Sequence, residues 1–159
     1  VTPPDREGEV QPGAAHYRAL ERLYAAAPIN ALFASSLRIV GEGRVRLAFD
    51  VGPDVYHAAG AAHGTIYFKM LDDAAFYAAN TLVTDRFLLT TSFNLHFTKP
   101  VREGRVTAEG RWVSGRKRVY VAEARLIDSD GDEIGRGTGT FMRSRIALSS
   151  LPGYSAEGE

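Results

Sequence analysis

The stretch 64–82 constrains this chain more than any other. Ile66, Phe68, Met70, Leu71, Ala74, Ala75, Phe76, Tyr77, Ala78 and Ala79 crowd it so closely that a helix here is apolar nearly all round. Such a helix has no face for water and must be enclosed by the rest of the fold. Small residues (Ala58, Ala59, Gly60, Ala61, Ala62) lead up to His63-Gly64, where the helix is predicted to begin. No apolar run reaches the roughly 18 residues that a bilayer span needs.

The enclosing structure is predicted to be sheet. Four later segments alternate with period two. In 91–97, Thr91, Phe93, Leu95 and Phe97 oppose Ser92, Asn94 and His96; in 105–113, Val106, Ala108 and Trp112 oppose Arg105, Thr107, Glu109 and Arg111. Segment 119–127 follows a turn at Ser114-Gly115, and 133–143 follows Asp128-Ser129-Asp130-Gly131-Asp132, with Asp130-Gly131 as the tight pair. This alternation predicts an antiparallel meander with one wet face. Earlier, 37–51 is extended and broken into a hairpin by Gly41 and Gly43, with Val45, Leu47 and Phe49 facing inward. Tyr17, Leu20, Leu23 and Tyr24 place a first helix over 14–27, stopped by Pro28, and a short helical turn over 29–34. The expected class is α+β: a five- or six-stranded antiparallel sheet wrapped around one central helix. It forms one domain, 14–148, between tails 1–13 and 149–159 whose Pro, Gly, Ser and acidic content reads as loose.

Charge and cysteine content narrow the function. Nineteen Lys and Arg balance nineteen Asp and Glu, so no net field draws the 159-residue chain to nucleic acid. With zero Cys there is no disulfide, thiolate metal site or thiol nucleophile, which suits a cytoplasmic protein. The expected partner is a small molecule or a second copy, with neither membrane nor nucleic acid.

Two adjacent acids interrupt the apolar helix. Lys69 lies four residues before Asp73 and can pair with it, whereas Asp72 has Phe68 and Phe76 at that spacing. A lone carboxylate kept among apolar neighbours costs several kcal/mol and marks a candidate base or nucleophile. At the helix start, Gly64 opens the unpaired backbone N–H groups to a carbonyl or anion. Eight residues of helix separate Gly64 from Asp72, about 12 Å at the standard rise, so one chain does not bring both to one atom. A two-fold axis between two copies does. His57 and His63 are six apart, not at the four-residue spacing of a helical zinc pair, so no metal is expected. His16 reads as surface and His96 as structural. Gly135, Gly137 and Gly139 have strand spacing and predict a smooth face rather than a phosphate loop. No Ser-His-Asp order or Gly-x-Ser-x-Gly elbow occurs.

Five motifs in order carry a resemblance: His63-Gly64-Thr65, Leu71-Asp72-Asp73-Ala74, Asn94-Leu95-His96-Phe97-Thr98-Lys99-Pro100, Arg118-Val119-Tyr120-Val121-Ala122-Glu123, and Gly135-Arg136-Gly137-Thr138-Gly139-Thr140-Phe141. Over 37–141 the chain resembles hotdog-fold thioesterases of the PaaI-like, acyl-CoA-hydrolysing group. The resemblance implies hydrolysis of an acyl thioester, above all acyl-CoA, to acid and CoA thiol by a homodimer often paired again into a homotetramer, without a cofactor. It puts the carbonyl-polarising N–H on Gly64 and the nucleophile or general base on Asp72. The water-orienting hydroxyl falls on Thr90, or on Thr91 with a shift of one. His57 stands where relatives have Asn or Gln, and Thr65 where they have a second Gly. His63, Thr65 and Thr91 then border the substrate; Arg116, Lys117 and Arg118, a charge run opening a strand after a turn, read either as a solvated face or as a contact to coenzyme A phosphates. Two rivals share the fold: an acyl-CoA binding protein without turnover, and an enoyl-CoA hydratase or dehydratase using His57 and Asp72 as an acid–base pair.

Overall fold

The computed structural model describes residues 12–155. Helix α1 (Ala14–Ala26) and a 3-10 turn (Pro28–Leu32) precede strands β1 (Ser35–Gly41) and β2 (Arg44–Val51); α2 (Gly64–Asn80) follows, then β3 (Arg86–Phe97), β4 (Gly104–Ser114), β5 (Val119–Ile127) and β6 (Glu133–Ala147). The six strands form one antiparallel sheet in the order β1-β2-β4-β5-β6-β3. This is the expected α+β hotdog arrangement, with α2 enclosed by the sheet. Met70, Leu71, Ala74, Ala75, Ala78 and Ala79 of α2 are fully buried. No helix among the described residues is long and apolar enough to cross a membrane.

Gly110 sets how deep the helix lies. Its partners Val45 and Ala124 flank it in β2 and β5, and a β-carbon built on it would overlap the backbone carbonyl of Ala74 in α2. A helix can approach a sheet this closely only where the strand has no side chain. Gly137 and Gly139 do the same for an aromatic ring: a β-carbon on Gly139 would lie 2.6 Å from the Phe93 ring. The smooth face expected of these glycines is therefore filled from the neighbouring strand β3, and Phe93 in turn meets Phe68 of α2 edge-on at 5.7 Å.

Four features depart from the sequence reading. The meander holds only for β4, β5 and β6; β3 crosses to the far side of β6 and leaves its outer edge unpaired. It also begins at Arg86 rather than at 91, because irregularities at 86–88 and 90–92 break the alternation there. His16 is buried, not on the surface: Nε2 meets the Asn80 carbonyl at 2.9 Å and Nδ1 the Tyr154 hydroxyl at 2.7 Å. Burial lowers its pKa, against the raising effect of the Asn80 carbonyl. Finally, 149–155 is packed back on the domain: Arg22 donates to the carbonyls of Gly153 and Tyr154, at 3.2 and 2.8 Å. Residues 1–11 and 156–159 of the expected tails lie outside those described.

The helix ends in a polar node that no pattern announced. Asn80 is fully buried; its Nδ2 donates to the Val83 and Arg86 carbonyls and its Oδ1 accepts from Leu88 N–H at 2.9 Å. It thus ties the end of α2 to the start of β3. Gly110→Ala should lower unfolding free energy by about 1–3 kcal/mol or more, since the overlap is with backbone and no rotamer relieves it. Urea denaturation measures this; a loss below about 0.5 kcal/mol, the range of neutral surface changes, would contradict the close approach.

Candidate active site

The loop before α2 is built to present the helix start. Ala62 N–H donates to the Val101 carbonyl at 2.9 Å, His63 N–H to Val55 at 2.8 Å, and Arg102 holds the Gly60 carbonyl at 2.7 Å. Gly60 turns the chain at φ +79°, a left-handed conformation that favours glycine. His63 then caps the helix: its Nδ1 accepts from Thr65 N–H at 3.1 Å. Ile66 N–H is taken by the His63 carbonyl at 2.9 Å. These bonds occupy the next two amides and leave that of Gly64 as the open donor at the positive end of the helix. The Phe97 ring packs over the Gly64 α-carbon, 3.0 Å from where a β-carbon would lie.

Two turns along, the adjacent acids part company. Asp73 Oδ2 accepts from Lys69 Nζ at 2.6 Å, and the same ammonium donates to Asn30 Oδ1 at 2.7 Å. Among the described residues Asp72 has no cation in contact and one hydrogen-bond partner, Thr90, whose Oγ1 donates to Oδ1 at 2.9 Å. Burial pushes the Asp72 carboxyl up to about 6, with Thr90 opposing the rise, Asp73 adding to it and Lys69 opposing it. Thr91 points elsewhere, to the Thr140 carbonyl at 3.1 Å, so Thr90 is the residue in register with the acid.

The remaining candidates fall into two groups. His57 is exposed in the loop before the helix, and its Nδ1 accepts from Ala59 N–H at 3.0 Å, so the neutral ring carries its proton on Nε2. His63 and Thr65 sit at the helix start itself. Arg116, Lys117 and Arg118 form the turn between β4 and β5, where Arg116 stacks 4.3 Å from the Trp112 ring centroid and lies 3.6 Å from Glu42. That turn is by the far end of α2, where Leu82 and Trp112 meet Gly43 and Thr81 Oγ1 accepts its N–H. The structure thus joins Asp72 with Thr90, and His63 and Thr65 with Gly64; His57 stays in the preceding loop, bonded to Ala59, Gly60 and Ala61, and the basic turn lies apart from both groups. Arg102, which braces the loop, was missed by sequence reasoning.

The folded pKa of Asp72 lies above its ordinary 3.8, so the native state holds a proton over the window between them. The stability this gives is complete below about pH 4 and is lost as pH rises through 6. Asp72→Asn keeps an acceptor for Thr90 and removes the buried charge. It should match the parent near pH 4 and exceed it at pH 8 by on the order of 1–3 kcal/mol. Denaturation at the two pH values checks this; equal stability at both would mean that the carboxylate is well solvated.

Comparison with known proteins bears on the family and the fold. A sequence model of the thioesterase superfamily matches residues 59–134. A protein of Saccharolobus solfataricus, provisionally named an esterase, is 30% identical over 101 residues, 64% of this chain and 67% of that one. A transcription factor of Shouchella clausii, FapR, is 34% identical over 110 residues, 66% of this chain, which spans only 55% of that protein. Among solved structures, E. coli PaaI of the phenylacetic acid degradation operon superposes with a TM-score of 0.74 at 15% identity, over 84% of this chain and 98% of that one. A Pseudomonas aeruginosa thioesterase superposes with a TM-score of 0.71 at 20% identity, over 80% and 94%. With this fold and the sequence match across its helix and following strands, the chain belongs to the thioesterase superfamily.

Proposed function

We propose that this protein hydrolyses acyl thioesters, with acyl-CoA as the carrier form, at a site shared by two copies. The observation that carries the reading is the Asp72–Thr90 pair: a desolvated carboxylate without a cation, fixed at one oxygen by a hydroxyl at 2.9 Å. Thr90 occupies Oδ1 and leaves Oδ2 free to take a proton. A second copy is required because Gly64 and Asp72 lie about 12 Å apart along one helix. The edge of β3, unpaired among the described residues, and the exposed Leu89 and Phe97 supply the surface for it. A tetramer would be a further pairing of such dimers.

In this reading the open Gly64 amide of one copy donates to the thioester oxygen and stabilises the oxyanion as it forms. Asp72 of the other copy takes a proton from water as the water oxygen bonds to the carbonyl carbon. Collapse of the tetrahedral intermediate breaks the carbon–sulfur bond, giving the acid and a thiolate that is then protonated. Direct attack by Asp72, through an anhydride opened by water, uses the same atoms. His57 Nε2–H serves as a donor that orients water or carbonyl, as an amide would, and His63 and Thr65 hold the helix start. Thr91, Arg116, Lys117 and Arg118 are assigned to more distant substrate contact, the basic turn to phosphates.

A second reading, acyl-thioester binding without turnover, draws on the similarity to FapR, whose name describes a transcription factor. The two separate in one assay. With a panel of acyl-CoAs, thiol release should be seen, and Asp72→Asn should reduce kcat/KM on the order of 10²–10⁴-fold. Asp73→Asn should retain most activity, since Asp73 is paired with Lys69. The parent's rate should fall below about pH 6, where Asp72 is protonated. Saturable binding with no thiol release would favour the binding protein, and hydration of an enoyl-CoA the hydratase.

A further inference from the structure

Leu32 is the most exposed large apolar side chain among the described residues, at 77%, and Ile29, on the same 3-10 turn, stands 53% exposed. The turn is not a loose excursion. Asn30 Nδ2 donates to the Tyr24 carbonyl at 2.7 Å and its Oδ1 accepts from Lys69 Nζ at 2.7 Å. Lys69 continues to Asp73, the neighbour of Asp72, and lies 4.9 Å from the Phe33 ring centroid. Two hydrogen bonds therefore run from the turn to the residue beside the candidate base. Phe68, one turn before Asp72, is 42% exposed on α2 and meets Phe93 of β3.

Apolar side chains held in water by a turn that is hydrogen-bonded to the helix carrying Asp72 describe a ligand surface rather than a packing remainder. We propose that the 3-10 turn is the acyl wall of this site: Ile29 and Leu32, with Phe68, take the apolar chain or ring of a bulky acyl group. An acetyl group, which carries no such chain or ring, is the reference. Asn30 is the positioning residue, because it fixes the turn to the Lys69–Asp73 pair and so to the helix that carries Asp72. This inference rests on the thioester reading above, and it sets the substrate class within it.

The test compares octanoyl-CoA with acetyl-CoA, as substrates and as non-hydrolysable thioether analogues, for the parent, Leu32→Ser and Asn30→Ala. Leu32→Ser should lose about tenfold or more in kcat/KM and in analogue affinity for octanoyl, the scale of removed apolar pocket contacts. Acetyl should change by no more than about twofold, the reference for a substrate outside the pocket. Asn30→Ala should show the same selective loss. Equal losses for both acyl groups would overturn the proposal, as would a Leu32→Ser protein whose sedimentation shows a changed oligomer, since the turn would then be a subunit contact. If the parent hydrolyses neither compound, the turnover reading fails and analogue binding decides alone. A preference for octanoyl that vanishes in Leu32→Ser upholds the wall, and a parent without preference refutes it.

Discussion

The contact of the Ala74 carbonyl with the bare backbone at Gly110 governs the rest of the molecule. It lets α2 sink against β4 until its alanine-rich side is sealed, and the direction of the helix's other side follows. Asp72 lies between Phe68 and Phe76, which pack on β3 and β6, and reaches Thr90 on the edge strand β3. A side chain at Gly110 would lift the helix and carry Asp72 away from that hydroxyl. Packing and chemistry are thus coupled through one missing β-carbon. Asn80 completes the arrangement by holding the end of the helix to the beginning of β3, the strand that supplies Thr90.

Two neighbouring aspartates show how local surroundings divide roles. Asp73 shares its proton affinity with an ammonium 2.6 Å away, and the pair anchors the turn after α1. Asp72, one residue earlier, meets a hydroxyl instead of a cation, and desolvation dominates its titration. A carboxyl near 6 is ionised at neutral pH yet basic enough to accept a proton, the compromise general-base chemistry favours. The energetic consequence is native stability given up to keep that charge, a pattern common at functional sites.

Much of this was legible in the sequence because it depends on local periodicity. The all-round apolar run located α2, the small residues before it put its start at His63-Gly64, where it is found at Gly64, and i, i+4 spacing paired Lys69 with Asp73. Strand alternation found β5 at its observed bounds. What stayed hidden depends on contacts distant in sequence or on broken periods. His16 looked like surface because its partners, Asn80 and Tyr154, lie 64 and 138 residues away. The register irregularity between Thr90 and Ser92 left two threonines as candidates, and only the Oγ1–Oδ1 distance chose between them. The crossing of β3 to the outer edge is equally invisible to a rule that reads neighbours as partners. The docking of 149–155 hid behind a composition typical of loose tails.

In the proposed reaction Gly64 of one copy and Asp72 of another make one site, and mixing subunits separates this from a site within one chain. Gly64→Pro removes the open N–H, and proline is accepted at the first helical position with the preceding His63 already extended, at ψ 146°; the Phe97 ring, 3.0 Å from the new β-carbon, must shift by a few tenths of an ångström. A protein bearing this change and one bearing Asp72→Asn should each be inactive alone. Co-expressed in equal amounts, half of the random dimers are mixed and each has one intact site, so about a quarter of parental thiol release should return. A mixture no more active than its two components would contradict the shared site.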